Sequence, residues 1–186
     1  MSIRAWSKNM ELAGKNSKSS VTHKIYSAVL KWIYDTEYRG GCHDTSAAMY
    51  ILLRESGVDC SLCIGEVATG GKYFDHSWVE ISGEIYDAAA CMPLAGGTVH
   101  PPVFCSIDLD LGKKTNLGYG HSSPVGLDNI GQWVADVDLL SYSQGHESNP
   151  NKLWNLTKEL GKFAGIKINI GKIRDSYGAV YREFRS

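Results

Sequence analysis

The chain has 186 residues, 43% hydrophobic and 21% charged, with a formal net charge of −1. That size and mix suit one globular domain with its own core, and the charge gives no electrostatic reason to bind nucleic acid or an anionic membrane surface. No apolar run nears the ~20 residues of a membrane span, and the first residues, Met1-Ser2-Ile3-Arg4-Ala5-Trp6, lack the apolar core of a signal peptide, so a cytoplasmic protein is expected. The cysteines are Cys42, Cys60, Cys63, Cys91 and Cys105. An odd number in a chain of this length speaks against a disulfide framework and leaves at least one thiol free.

Residues 1–20 are polar and read as a flexible arm preceding a single domain over 21–186. Val21, Ile25, Ala28, Val29, Trp32 and Ile33 recur at helical spacing, which predicts a helix over 21–35. Gly40-Gly41 breaks it. Cys42 then opens a second helix, 42–56, with Ala48, Met49, Ile51, Leu52 and Leu53 on its buried side and Gly57 beyond its end. The period next changes to two, predicting strands over 58–67, 73–81 and 84–89, with Ser82-Gly83 as the turn of a hairpin. Residues 90–130 are rich in Gly, Pro and Ser and read as long loop, apart from a strand over 103–110. A further strand is expected over 132–140. Asn149-Pro150 introduces a helix over 151–164. Ile166, Ile168 and Ile170 alternate as in a half-buried strand, and 174–184 fits either helix or strand.

Cys42 stands where a helix N-terminus favours thiolate over thiol. A cysteine nucleophile also needs a base within reach and a group that orients the base. In the expected hairpin, Ile81 faces Glu84, so Asp87 falls opposite Trp78. His76, two residues from Trp78, shares that face and lies diagonal to Asp87, within reach of longer side chains. Asp75 points the other way. The candidate triad is therefore Cys42, His76 and Asp87.

The segments Gly41-Cys42-His43-Asp44, His76-Ser77-Trp78-Val79-Glu80 and Tyr86-Asp87 resemble the transglutaminase-like core, over about residues 39–90. The resemblance implies an α+β, papain-like fold in which the Cys-bearing helix packs on an antiparallel sheet. It also implies Cys42 as nucleophile, His76 as base and Asp87 as orienter. It points to a thiol hydrolase acting on a peptide or other amide, with acyl transfer to an amine as the alternative. Weaker likenesses are to the lasso-peptide leader peptidases and, through Arg39-Gly40-Gly41-Cys42, to arylamine N-acetyltransferases. The partner expected is a peptide, protein or small acyl substrate. The backbone N–H of Cys42 is a natural oxyanion donor. Tyr38, Trp78, Tyr119 and His121 are the expected oxyanion or substrate contacts, with Trp133 as a further candidate for the cleft wall.

Two other readings compete. Cys60-x-x-Cys63 has the spacing of a zinc pair, with Cys91, Cys105, His100 or His121 to complete it. On a strand, however, residues three apart point to opposite faces, so no metal or cofactor is expected. A non-catalytic binding module built on the same fold is the second rival.

Overall fold

The computed structural model describes residues 3–14 and 20–186. The chain begins with helix α1 (Ile3–Gly14), where an arm is expected. Trp6, Met10 and Ala13 lie on one face, at i, i+4 and i+7, and pack into the main core. Trp6 and Met10 are buried, and the Trp6 indole N–H donates to Asp110 Oδ1 at 2.5 Å. Only three apolar anchors in an otherwise polar stretch give too faint a period to read. Residues 15–19 of the expected arm lie outside the described residues.

Helix α2 (Ser20–Thr36) and helix α3 (Cys42–Glu55) follow as expected. α3 buries Ala47, Ala48, Met49, Ile51, Leu52 and Leu53 almost completely. Each of its larger apolar side chains contributes roughly 1.5–3 kcal/mol by leaving water. Strands β1 (Ser61–Thr69), β2 (Lys72–Ile81) and β3 (Glu84–Tyr86) form an antiparallel meander. The hairpin has the expected register: Ile81 faces Glu84 and Val79 faces Tyr86. The ladder then stops, because Asp87 turns away to bridge Val103.

The loop region carries short strands. β4 (Val103–Phe104) and β5 (Ile107–Asp108) are one hairpin, where a continuous strand is expected. Its two turn residues, Cys105 and Ser106, both have positive φ, as a two-residue type I′ connection requires. β6 (Lys113–Lys114) completes this small sheet, and β7 (Gly118–Tyr119) joins the main one beside β1.

The strand expected over 132–140 is instead helix α4 (Asn129–Asp136) followed by helix α5 (Leu139–Gln144). Both are capped by aspartates: Asp128 accepts from the N–H groups of Ile130 and Gly131, and Asp138 from that of Ser141. Helix α6 (Lys152–Phe163) lies close to its expected span. Ile166–Ile170 keeps its alternating burial but joins no ladder among the described residues, and Asn169 caps helix α7 (Ile170–Tyr177). The final strand, β8 (Glu183–Arg185), pairs with β1 in parallel, the one departure from the expected antiparallel sheet among the described strands. Gly65 permits this pairing, since a Cβ there would sit 2.4 Å from the Arg185 carbonyl oxygen.

The sheet order is β3-β2-β1, with β7 and β8 both beside β1. α3 packs on β2 and β1, with α2 and α6 against its outer sides. The arrangement is α+β, with the start of α3 brought to the sheet. No helix among the described residues is long and apolar enough to cross a membrane.

If α1 is part of the core, Trp6→Ala should destabilise the protein by about 3 kcal/mol. Urea unfolding checks this, and an unchanged midpoint would restore the flexible arm.

Candidate active site

Cys42 is the first residue of α3, and no side chain caps that helix end. The N–H groups of the first turn, left unpaired by helix geometry, therefore remain available near the sulfur. Gly41 fits directly under Tyr38, whose ring would lie about 2.1 Å from any Cβ added there. Cys42 is half-buried and shares one cleft wall with two imidazoles, His43 and His76. Burial opposes ionisation, but these two neighbours outweigh it and bring the thiol well below its ordinary range.

β2 supplies His76 and the turn after β3 supplies Asp87; both are buried. His76 Nε2 lies 2.8 Å from Asp87 Oδ2. The approach is out of line for a well-formed hydrogen bond. Burial disfavours an imidazolium here, but Asp87 and Cys42 prevail and hold the His76 pKa well above its usual value.

Asp87 is fixed at both oxygens. Oδ1 accepts from the N–H groups of Ala89 and Ala90 at 2.9 and 3.1 Å, and Oδ2 accepts the Tyr119 hydroxyl at 2.7 Å. Burial raises its pKa, but His76, Tyr119 and the backbone donor together leave it lowered. The three residues singled out by spacing and register are thus brought into one line.

A second buried carboxylate underlies the line. Asp44, in the first turn of α3, accepts from Tyr38 (2.5 Å) and Tyr142 (2.7 Å) and pairs with Lys152 (2.8 Å). Burial opposes its charge, and those three partners overcome the penalty. Burial, then Asp44, push the Tyr38 phenol up to about 12. Buried Arg182 lies over the Tyr142 ring and donates to the His43 carbonyl at 3.1 Å.

Cys42, His43 and His76 open into a cleft of about 560 Å³. Phe74, Met92, Pro93, Leu94 and Ile130 give it apolar walls, and His100 stacks on Phe74 with ring centroids 5.3 Å apart. Burial and the nearby His76 hold His100 below its ordinary pKa, against the pull of Asp87.

Among the described residues, the cleft wall includes none of Tyr38, Trp78, Tyr119, His121 and Trp133. Tyr38 is engaged by Asp44. Trp78 is buried behind the sheet, with its indole N–H on Glu80. Tyr119 stands behind Asp87 and stacks edge-on against Trp78. His121 is exposed, and Trp133 leans on Tyr142. Sequence reasoning missed His43, His100, the Asp44 cluster and Arg182. His43 had the one available signal, its place directly after the nucleophile candidate. Cys60 and Cys63 belong to different apolar clusters. No group of three or more His, Cys, Asp or Glu among the described residues is arranged to hold a metal ion.

No curated protein and no solved structure matches the chain. A family model described as the transglutaminase-like superfamily matches residues 2–95. This is half of the chain, and it includes Cys42, His76 and Asp87 but ends before β4 and everything after it. Membership of this superfamily points to a cysteine-dependent enzyme, and with this match the chain belongs to the transglutaminase-like superfamily.

Proposed function

We propose that the protein is a cysteine hydrolase of amide or peptide bonds, with Cys42 as nucleophile, His76 as acid and base, and Asp87 as orienter. The observation that carries this reading is that Cys42 and His76 line one solvent-open cleft, with Asp87 paired to His76 behind it. The Cys42 thiolate attacks the substrate carbonyl carbon, forming a C–S bond as the π pair moves to oxygen. The Cys42 backbone N–H, uncapped at the helix start, supports that oxyanion. His76 then gives its proton to the leaving nitrogen as the C–N bond breaks, leaving a thioester. Water, deprotonated by His76, attacks the thioester carbon, and the C–S bond breaks to release the acid and return the Cys42 thiolate beside protonated His76. The cleft admits water because exposed residues such as Lys72 and Leu94 form part of its rim. Its apolar walls suit an apolar side chain beside the scissile bond.

Intact mass after incubation with amide, ester and acyl-donor libraries tests the reading. A thioester adduct on Cys42 is expected, and it should be absent from a folded Cys42→Ala variant. Full turnover by that variant would exclude Cys42 as the nucleophile. Product analysis with added amines separates release as an acid from acyl transfer.

Asp87→Asn should lower turnover by roughly 10⁴-fold, because the base loses its orientation and tautomer control. Unchanged turnover would remove Asp87 from the triad.

The lowered Cys42 pKa sets the sign of the pH dependence. Labelling of Cys42 by iodoacetamide should persist well below pH ~8.5, where an ordinary thiol fades, and fall only where the sulfur finally protonates. His76→Ala should move the profile back toward alkaline pH. Burial pushes Cys60 and Cys91 up to about 12, and Cys63 also upward, so these thiols should stay silent over the same range. Peptide mapping of the labelled protein reads all of these sites.

A further inference from the structure

Cys42 shares its cleft wall with an imidazole from β2 and a second one from its own helix, and the triad uses only the first. His43 lines the cleft beside Cys42, and its Nδ1 lies 2.7 Å from the hydroxyl of Ser77, which is buried. Its backbone is held as well, through the carbonyl that accepts from Arg182. The ring is therefore anchored at Nδ1, and Nε2 is the nitrogen left for the sulfur and the cleft. A ring nitrogen beside a thiolate is stabilised when it presents N–H rather than a lone pair. With the proton on Nε2, Nδ1 accepts from the Ser77 hydroxyl.

We propose that His43 is a further catalytic residue, with its Nε2–H donating to the Cys42 thiolate and then to the oxyanion formed by attack. This rests on Cys42 being the nucleophile. When sulfur bonds to the carbonyl carbon, negative charge leaves sulfur and appears on an oxygen two bonds away. A donor already directed at the sulfur has only a short distance to follow it. His76 cannot serve both ends, because it must carry the proton for the leaving group. Ser77 is a positioning residue in this scheme, acting through His43.

Two reagents separate the roles. Iodoacetamide alkylates sulfur by displacing iodide, and no oxyanion forms. p-Nitrophenyl acetate acetylates it through an oxyanion, as the new C–S bond forms and the C–O bond to p-nitrophenolate breaks. Both rates are measured near pH ~9, above the ordinary thiol pKa of about 8.5, and the alkylation rate reads any change in ionisation that remains. His43→Ala should slow acetylation on the order of 100-fold, the scale of one lost oxyanion donor, while alkylation changes by only a small factor. His43→Gln, which keeps an N–H, should recover most of the loss. Ser77→Ala should slow acetylation selectively, and it serves as the test if His43→Ala fails to fold. Equal losses with both reagents, no loss with either, or a Gln variant no faster than the Ala variant would overturn the proposal. A wild-type Cys42 that alkylates no faster than an ordinary thiol would instead remove the triad reading, and this proposal with it.

Discussion

The site depends first on how the protein accommodates Asp44. A carboxylate removed from water is costly unless its charge and lone pairs are matched. Here two phenols and an ammonium match them: Tyr38 from the segment before α3, Tyr142 from α5 and Lys152 from α6. Three separate parts of the chain are thereby pinned to the first turn of one helix, the turn that carries Cys42. The same pairing has an electrostatic effect. An unmatched anion in that turn would compete with a thiolate for the positive end of the helix. Lys152 offsets the Asp44 charge and leaves the helix end free to act on the sulfur.

Asp87 is governed by a different constraint. The β2–β3 ladder brings it alongside His76, but the ladder does not hold it there, because the strand ends at Tyr86. Its position comes from a bridge to Val103, two backbone donors and the Tyr119 hydroxyl. The carboxylate is satisfied before His76 is counted, so it can orient an imidazole without needing it. Val103 and Tyr119 thus serve the triad from behind, while the cleft wall is built from β2, the segment after Ala89 and the start of α4.

What could be read from the sequence follows the range of the interactions involved. Cys42 at a helix start and the His76–Asp87 pairing are local facts, set by one helix boundary and a two-residue turn, and both emerge from periodicity and register. The resemblance to a known superfamily adds the direction of packing, which no local pattern contains. Trp6 and Met10 were hidden because three anchors do not stand out in a polar stretch. α4 and α5 were hidden because a valine-containing segment suggested a strand while Asp128 and Asp138, which begin the helices, went unread. The Asp44 cluster joins residues about a hundred positions apart, and no spacing rule links Tyr38 to Tyr142 or Lys152. Tyr119 reads as an aromatic in a long loop, but its working contact is made through its hydroxyl to Asp87, on the far side from the cleft.

β8 has a consequence for the timing of assembly. The chain emerges from the ribosome with Cys42, His76 and Asp87 in one early stretch, and the meander that follows α3 can pair at once. Arg182, which grips the His43 carbonyl, and the strand that lies along β1 arrive only after α4 to α7 have been made. Until then the sulfur sits on a helix whose first turn lacks Lys152, Tyr142 and Arg182. The nascent polypeptide therefore carries its most reactive group in an unfinished setting, and the pocket matures from its far end inward.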